Sequence, residues 1–147
     1  ILIGALEKIK SYLDYGAFTP IQVAAASALS SDPSTIAKVR EVYKKRRNVL
    51  VDAMSKAGWE IPSPDATMFA WAPIPEKFKS LGSLEFSKVL LKEADISVAP
   101  GIGFGEYGEN FVRIGLVENE HRIRQAARNI KAVFTKADKI LSDYSPN

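Results

Sequence analysis

Phe111-Val112-Arg113-Ile114-Gly115-Leu116-Val117 is an apolar run with one charge in its interior. Side chains alternate across a strand, so Val112, Ile114 and Leu116 share one face, and Phe111, Arg113 and Gly115 share the other. A lone arginine among apolar neighbours has two explanations. Its planar guanidinium suits a two-pronged grip on a ligand carboxylate, with Gly115 leaving room beside it. It equally suits a structural ion pair with Glu118 or Glu120. Strand alternation leaves both open.

The residues before this strand, PGIGFGEYGEN at 100–110, place Gly101, Gly103, Gly105 and Gly108 between two strands. A phosphate-binding glycine loop needs a helix N-terminus directly behind it, and none follows here, so a nucleotide loop is excluded. The stretch reads first as a structural loop, and a flexible or tight turn that lets backbone approach a ligand stays open beside that. Further upstream, Ile96–Ala99 reads as a short strand, and Leu84–Ala94 as a helix capped by Ser83 with Phe86, Val89 and Leu90 inward. Thr67–Ile74 (TMFAWAPI) reads as a strand bounded by Pro64 and Pro75. Trp59, Phe69 and Trp71 read as core or rim packing in preference to a stacking platform.

Two ends are clearly signalled. Asp32 and Pro33 supply an N-cap and a first helical residue, and Gly58 a stop, for a helix of about 24 residues, roughly 36 Å long. Its expected inner face is Ile36, Val39, Val42/Tyr43, Val49/Leu50 and Ala53/Met54. Lys44, Lys45, Arg46 and Arg47 fall on all sides of it, which predicts a solvated surface with one arginine buried. Asn119 caps a final helix with Ile123, Ala126/Ala127, Ile130, Val133/Phe134 and Ala137 inward. The order from Ser34 onward is thus helix, strand, helix, strand, strand, helix. It predicts an α+β fold, a short mixed or antiparallel sheet with helices packed on one face. Two earlier helices, Ile1–Tyr15 stopped by Gly16 and an alanine-rich one from Pro20 to Leu29, do not belong to that sheet. The second is expected to be buried on several sides.

With no cysteine, disulfides, thiolate metal sites and a cysteine nucleophile are excluded. With His121 as the one histidine, there is no histidine cluster for a metal and little scope for a Ser-His-Asp arrangement. A net charge of +3 slightly favours anionic small molecules and gives no argument for nucleic acid. No apolar run reaches the roughly 18 residues of a membrane helix. ILIGALEKIK has no initiator Met and no basic head, so it does not read as a signal peptide; it starts in mid-pattern, as if cut from a longer chain. A cytoplasmic location is the default expectation.

The string Pro100-Gly101, Phe104-Gly105, Gly108, Phe111-Val112-Arg113-Ile114 and the capped helix behind it resembles the end of class I/II (fold type I) aminotransferases that use pyridoxal 5'-phosphate (PLP). YGAFTPIQVAAASAL resembles their segment after the cofactor-binding core. YKKRRNV at 43–49 resembles their long interdomain helix, and PDATMFAW at 64–71 their first small-domain strand, with Ala66 where many members have glycine. The pattern is most similar to the alanine and LL-diaminopimelate branch.

The resemblance implies that residues 1–31 are a helical remnant of the large PLP-binding domain. Residues 32–147 would be the small C-terminal domain of the aspartate-aminotransferase-like fold. It implies that Arg113 binds the substrate's α-carboxylate. It also puts Tyr15 to Thr19 at a homodimer interface near the partner's site, making Tyr15 a second substrate-binding residue. Dicarboxylate-specific members carry an arginine just before that break; Ser11 to Pro20 has none, which favours a neutral, alanine-like amino acid and a 2-oxo acid as substrates. The family's lysine that bonds to PLP sits in a Ser-x-x-Lys context that occurs nowhere in this sequence. That lysine, the phosphate cup and the aspartate facing the pyridine nitrogen are expected upstream, so the chain alone is expected to be inactive and holds no catalytic residue. Two other readings are a ligand-sensing aminotransferase-like domain of a transcriptional regulator and a non-catalytic α+β interaction module.

Overall fold

A computed structural model describes residues 1–13 and 16–144. They form two units, Ile1–Ala37 and 38–147.

The first unit holds α1 (Leu2–Leu13), α2 (Thr19–Leu29) and the opening of α3 (Ser34–Lys56). Pro20 sits in the first turn of α2, where a missing N–H costs nothing. Asp32 caps α3: its Oδ1 accepts from the Ser34 amide at 3.0 Å and its Oδ2 from the Ser34 hydroxyl at 2.6 Å. These bonds hold the Asp32 carboxyl below its ordinary pKa. The expectation of a buried α2 does not hold, since α2 buries none of its residues. A helix buries side chains only against another element, and a unit of this size offers too little surface to cover one.

The second unit is built on a sheet. β1 (Phe69–Pro73) is followed by a 3-10 turn over Glu76–Leu81 and α4 (Gly82–Ala94). β2 (Ala99–Pro100) leads into 3-10 turns at Gly101–Phe104 and Glu106–Gly108, then β3 (Phe111–Gly115), α5 (Glu120–Thr135) and α6 (Ala137–Tyr144). The three strands run in the order β1-β3-β2, and both pairings are antiparallel. The α+β reading stands, with the sheet antiparallel throughout.

The core lies between the helices and one face of this sheet. Ala70, Ala72 and Val112 are fully buried there, as are Phe86, Val89 and Leu90 of α4. Trp59, Phe78, Phe86 and Phe134 form an aromatic cluster, with centroids 5.2–5.9 Å apart and an edge-on Trp59–Phe86 pair. Such tilted contacts put positive ring edges on negative faces, and a buried indole N–H must find an acceptor. Trp59 Nε1 donates to the Pro73 carbonyl at 2.8 Å, fastening this cluster to the end of β1.

Several local expectations need correction. The long helix has 23 residues and Gly58 ends it at φ 88°; of its expected inner face Leu50 and Met54 are buried and Tyr43, Val49 and Ala53 pack partly buried against the core, but Ile36, Val39 and Val42 are exposed. Ser83 is not the cap of α4, which begins at Gly82. Ile96–Val98 is not strand. The Ile96 amide donates back to Leu90 O at 3.1 Å behind a left-handed Asp95, closing the helix C-terminus. β2 can therefore start only at Ala99. The terminal helix is two helices, broken at Lys136, whose amide turns back to Val133 O. Asn119 does cap α5, accepting from the His121 and Arg122 amides at 3.1 Å.

Candidate functional site

The antiparallel register sets Trp71 opposite Arg113, with Phe69 opposite Gly115 and Pro73 opposite Phe111. Alternation then turns Phe69, Trp71, Phe111 and Arg113 to the face away from the core. Arg113 is half-buried there. Its guanidinium carbon stands 4.2 Å from the Phe69 ring centroid and 4.5 Å from that of Phe104, which arrives from the turn after β2. Trp71 meets Phe104 edge-on at 5.5 Å and stacks on Phe111 at 5.7 Å, with 20° between the planes.

No carboxylate among the described residues pairs with Arg113. Glu120, one of the two partners the sequence offered, lies 3.9 Å from Lys45 instead. The ion-pair alternative therefore fails, and the guanidinium N–H donors remain available. An arginine so placed can receive a planar anion in its own plane.

The neighbouring elements hold this face in shape. Arg46 of α3 donates from Nη1 to the carbonyls of Leu116 and Val117, both at 3.0 Å, and so anchors the end of β3. Arg47 reaches Pro64 O at 3.3 Å. Two residues of the basic run are thus structural and half-buried, one more than expected.

The glycine-rich turn is pinned by Ser83. The amide and hydroxyl of this fully buried serine donate to the Glu109 carboxylate at 3.1 and 2.8 Å, and its oxygen accepts from the Ile102 amide at 3.1 Å. Inside the turn the backbones of Gly101 and Gly108 cross so closely that a Cβ on either would strike the other's carbonyl. This crossing sets the position of Phe104. Before β1, Thr67 has φ 72°, and its hydroxyl accepts from the Phe69 amide at 3.1 Å. A β-branched residue in that region is strained. The strain sits two residues before one of the rings on Arg113.

Tyr15, the other expected site residue, lies outside the described residues, so Arg113 is the expected site residue whose surroundings can be described. Trp59 is core, and Phe69 and Trp71 pack on the outward face of the sheet, at the rim and not in the core. Phe104 was not anticipated at the guanidinium, whereas alternation already put Phe111 on the Arg113 face. One signal existed: in Phe69-Ala70-Trp71-Ala72 the aromatics alternate with alanines, so a core packed by the small residues must turn the large ones out.

Residues 1–130 match the family model described as aminotransferase class I and II. The chain belongs to the class I and II aminotransferases. Among relatives of this aminotransferase chain, AatC of Rhizobium meliloti is 66% identical over 140 residues, 95% of this chain and 35% of that protein. The glutamate-pyruvate aminotransferase AlaC of Escherichia coli is 54% identical over 140 residues, 95% of this chain and 34% of that protein. The structure of BacF from Bacillus subtilis superposes with a TM-score of 0.78 at 32% identity, over 89% of this chain and 33% of that one. The chain thus spans about a third of the length of the relatives it matches.

Class I and II membership implies PLP. The residues described here do not by themselves fit that cofactor, which needs a lysine in a desolvated pocket beside phosphate donors. Every lysine among the described residues is exposed; Lys44, Lys45, Lys56, Lys79 and Lys88 pair with carboxylates, and Lys77 donates to Phe134 O at the end of α5.

Proposed function

We propose that this chain is the carboxylate-clamping part of a PLP-dependent aminotransferase that moves an amino group between a neutral, alanine-like amino acid and a 2-oxo acid. Arg113 carries the reading. It is a half-buried guanidinium on an outward sheet face, in contact with two rings and without an acidic partner among the described residues. Such a group binds and orients a carboxylate, and class I and II membership supplies a substrate that has one. The 54% identity to a glutamate-pyruvate aminotransferase supports the alanine-like substrate, as does the absence of arginine from Ser11 to Pro20.

In this reading residues 1–31 end the large domain and 32–147 form the small one. PLP is held mainly by residues outside this chain. Movement of the small domain over bound substrate brings Arg113 to the carboxylate and excludes water. Tyr15 contributes to substrate binding from near a homodimer interface, in a cytoplasmic enzyme.

Arg113→Ala in the whole protein tests the assignment. Loss of charge-assisted hydrogen bonds worth about 1.5–3 kcal/mol predicts a fall in kcat/KM for the amino acid of roughly 10- to 150-fold. The corresponding amine, which lacks the carboxylate, should be turned over as before. Unchanged steady-state kinetics for the amino acid would overturn the assignment.

A further inference from the structure

An arginine on a sheet face is usually oriented by a carboxylate, and that carboxylate occupies the in-plane N–H donors that a ligand's carboxylate would need. Arg113 is oriented differently. Phe69 and Phe104 contact it at 4.2 and 4.5 Å from the ring centroids, and they come from separate segments, β1 and the turn after β2. Aromatic rings attract a cation through their quadrupole and leave its in-plane donors unoccupied. Phe104 is itself braced by the edge-on contact with Trp71, and Trp71 by its stacking on Phe111. Phe104 is half-exposed to solvent and takes no part in the core.

We infer that Phe69 and Phe104 are positioning residues, which hold the Arg113 guanidinium over their rings and keep it free of an internal anion so that a substrate carboxylate meets a prealigned donor fork. The inference rests on the proposed role of Arg113 as the carboxylate clamp. It adds that the clamp's affinity depends on two aromatic rings that touch the guanidinium without accepting its hydrogen bonds. Phe69→Leu or Phe104→Leu keeps apolar bulk and removes a face. Phe104→Tyr keeps the face and extends toward solvent.

The test is steady-state kinetics of these variants and of Arg113→Ala in the whole PLP-bound protein, with the amino acid and its decarboxylated amine as alternative donors. Each leucine variant is expected to raise KM for the amino acid about 2- to 30-fold, the range of a cation–π contact, and to narrow the preference for amino acid over amine. kcat should change less than KM, and Phe104→Tyr should stay near wild type. Wild-type KM in both leucine variants, with a raised KM in Arg113→Ala, would overturn the positioning role and leave the clamp standing. Wild-type kinetics in Arg113→Ala would remove the clamp itself. Should a leucine variant not fold, the unmodified protein decides: two flanking rings must shift the Arg113 Nε–H proton resonance upfield of the other arginines, and an unshifted signal overturns the inference.

Discussion

The two faces of the β1–β3 ladder sort their residues by size in opposite senses. Toward the helices stand Ala70, Ala72 and Val112, all fully buried. On the other side stand Phe69, Trp71, Phe111 and the ladder's single charge, Arg113, with Trp71 37% exposed. An aromatic side chain removes roughly 150–250 Å² from water when buried, so bulk of this kind ordinarily goes inward. Here α4 packs against β2 and β3 on the side of the small residues, and the bulky ones lie around a cation. Packing density specifies one face. The other is specified by the group it holds.

That contrast can be broken by mutation. Phe86→Ala on the core side should destabilise the chain by about 3–5 kcal/mol in urea unfolding, as expected for a large buried ring. Trp71→Ala, although it removes the larger side chain, should cost about 1–2 kcal/mol because it empties no sealed space. Equal losses would mean that the faces do not differ as described.

The pinning of the turn comes next. Ser83→Ala removes a buried hydroxyl that both donates to Glu109 and accepts from Ile102. It should cost about 1–3 kcal/mol and speed hydrogen exchange at the Ile102 amide; unchanged exchange would show that the turn holds without it. The smallest effect is expected at Thr67. Asparagine tolerates positive φ better than a β-branched residue, so Thr67→Asn should stabilise by up to about 1 kcal/mol in the same unfolding assay. A loss would mean that the hydroxyl's bonds to Phe69 outweigh the strain.

The sequence makes readable what is local. Asp32, Gly58 and Asn119 each act on amides or turns within a few residues, and β3 is apparent from its own alternation. Ser83 misleads for the opposite reason: it has the right chemistry for a cap, but its partner, Glu109, is 26 residues away. Ile96 belongs by composition to a strand, yet its amide is claimed by the preceding helix. Ile36, Val39 and Val42 have the spacing of an inner face, and spacing cannot say whether a covering surface is present. At the site, the alternation around Arg113 identifies the guanidinium but not what contacts it. Phe69 and Phe104 meet on it only because the β1–β3 register and the crossing of Gly101 with Gly108 bring them there.

β1 and β2 are the two edges of the sheet. β2 contributes two residues, one of them Pro100, which has no N–H to offer. β1 ends on Pro73, whose carbonyl is already taken by Trp59. Short, proline-ended borders give a strand from another molecule little to pair with, and that is a known defence against edge-to-edge aggregation. The face that carries Arg113 can therefore take a small anion without offering a neighbouring molecule a free strand edge beside it.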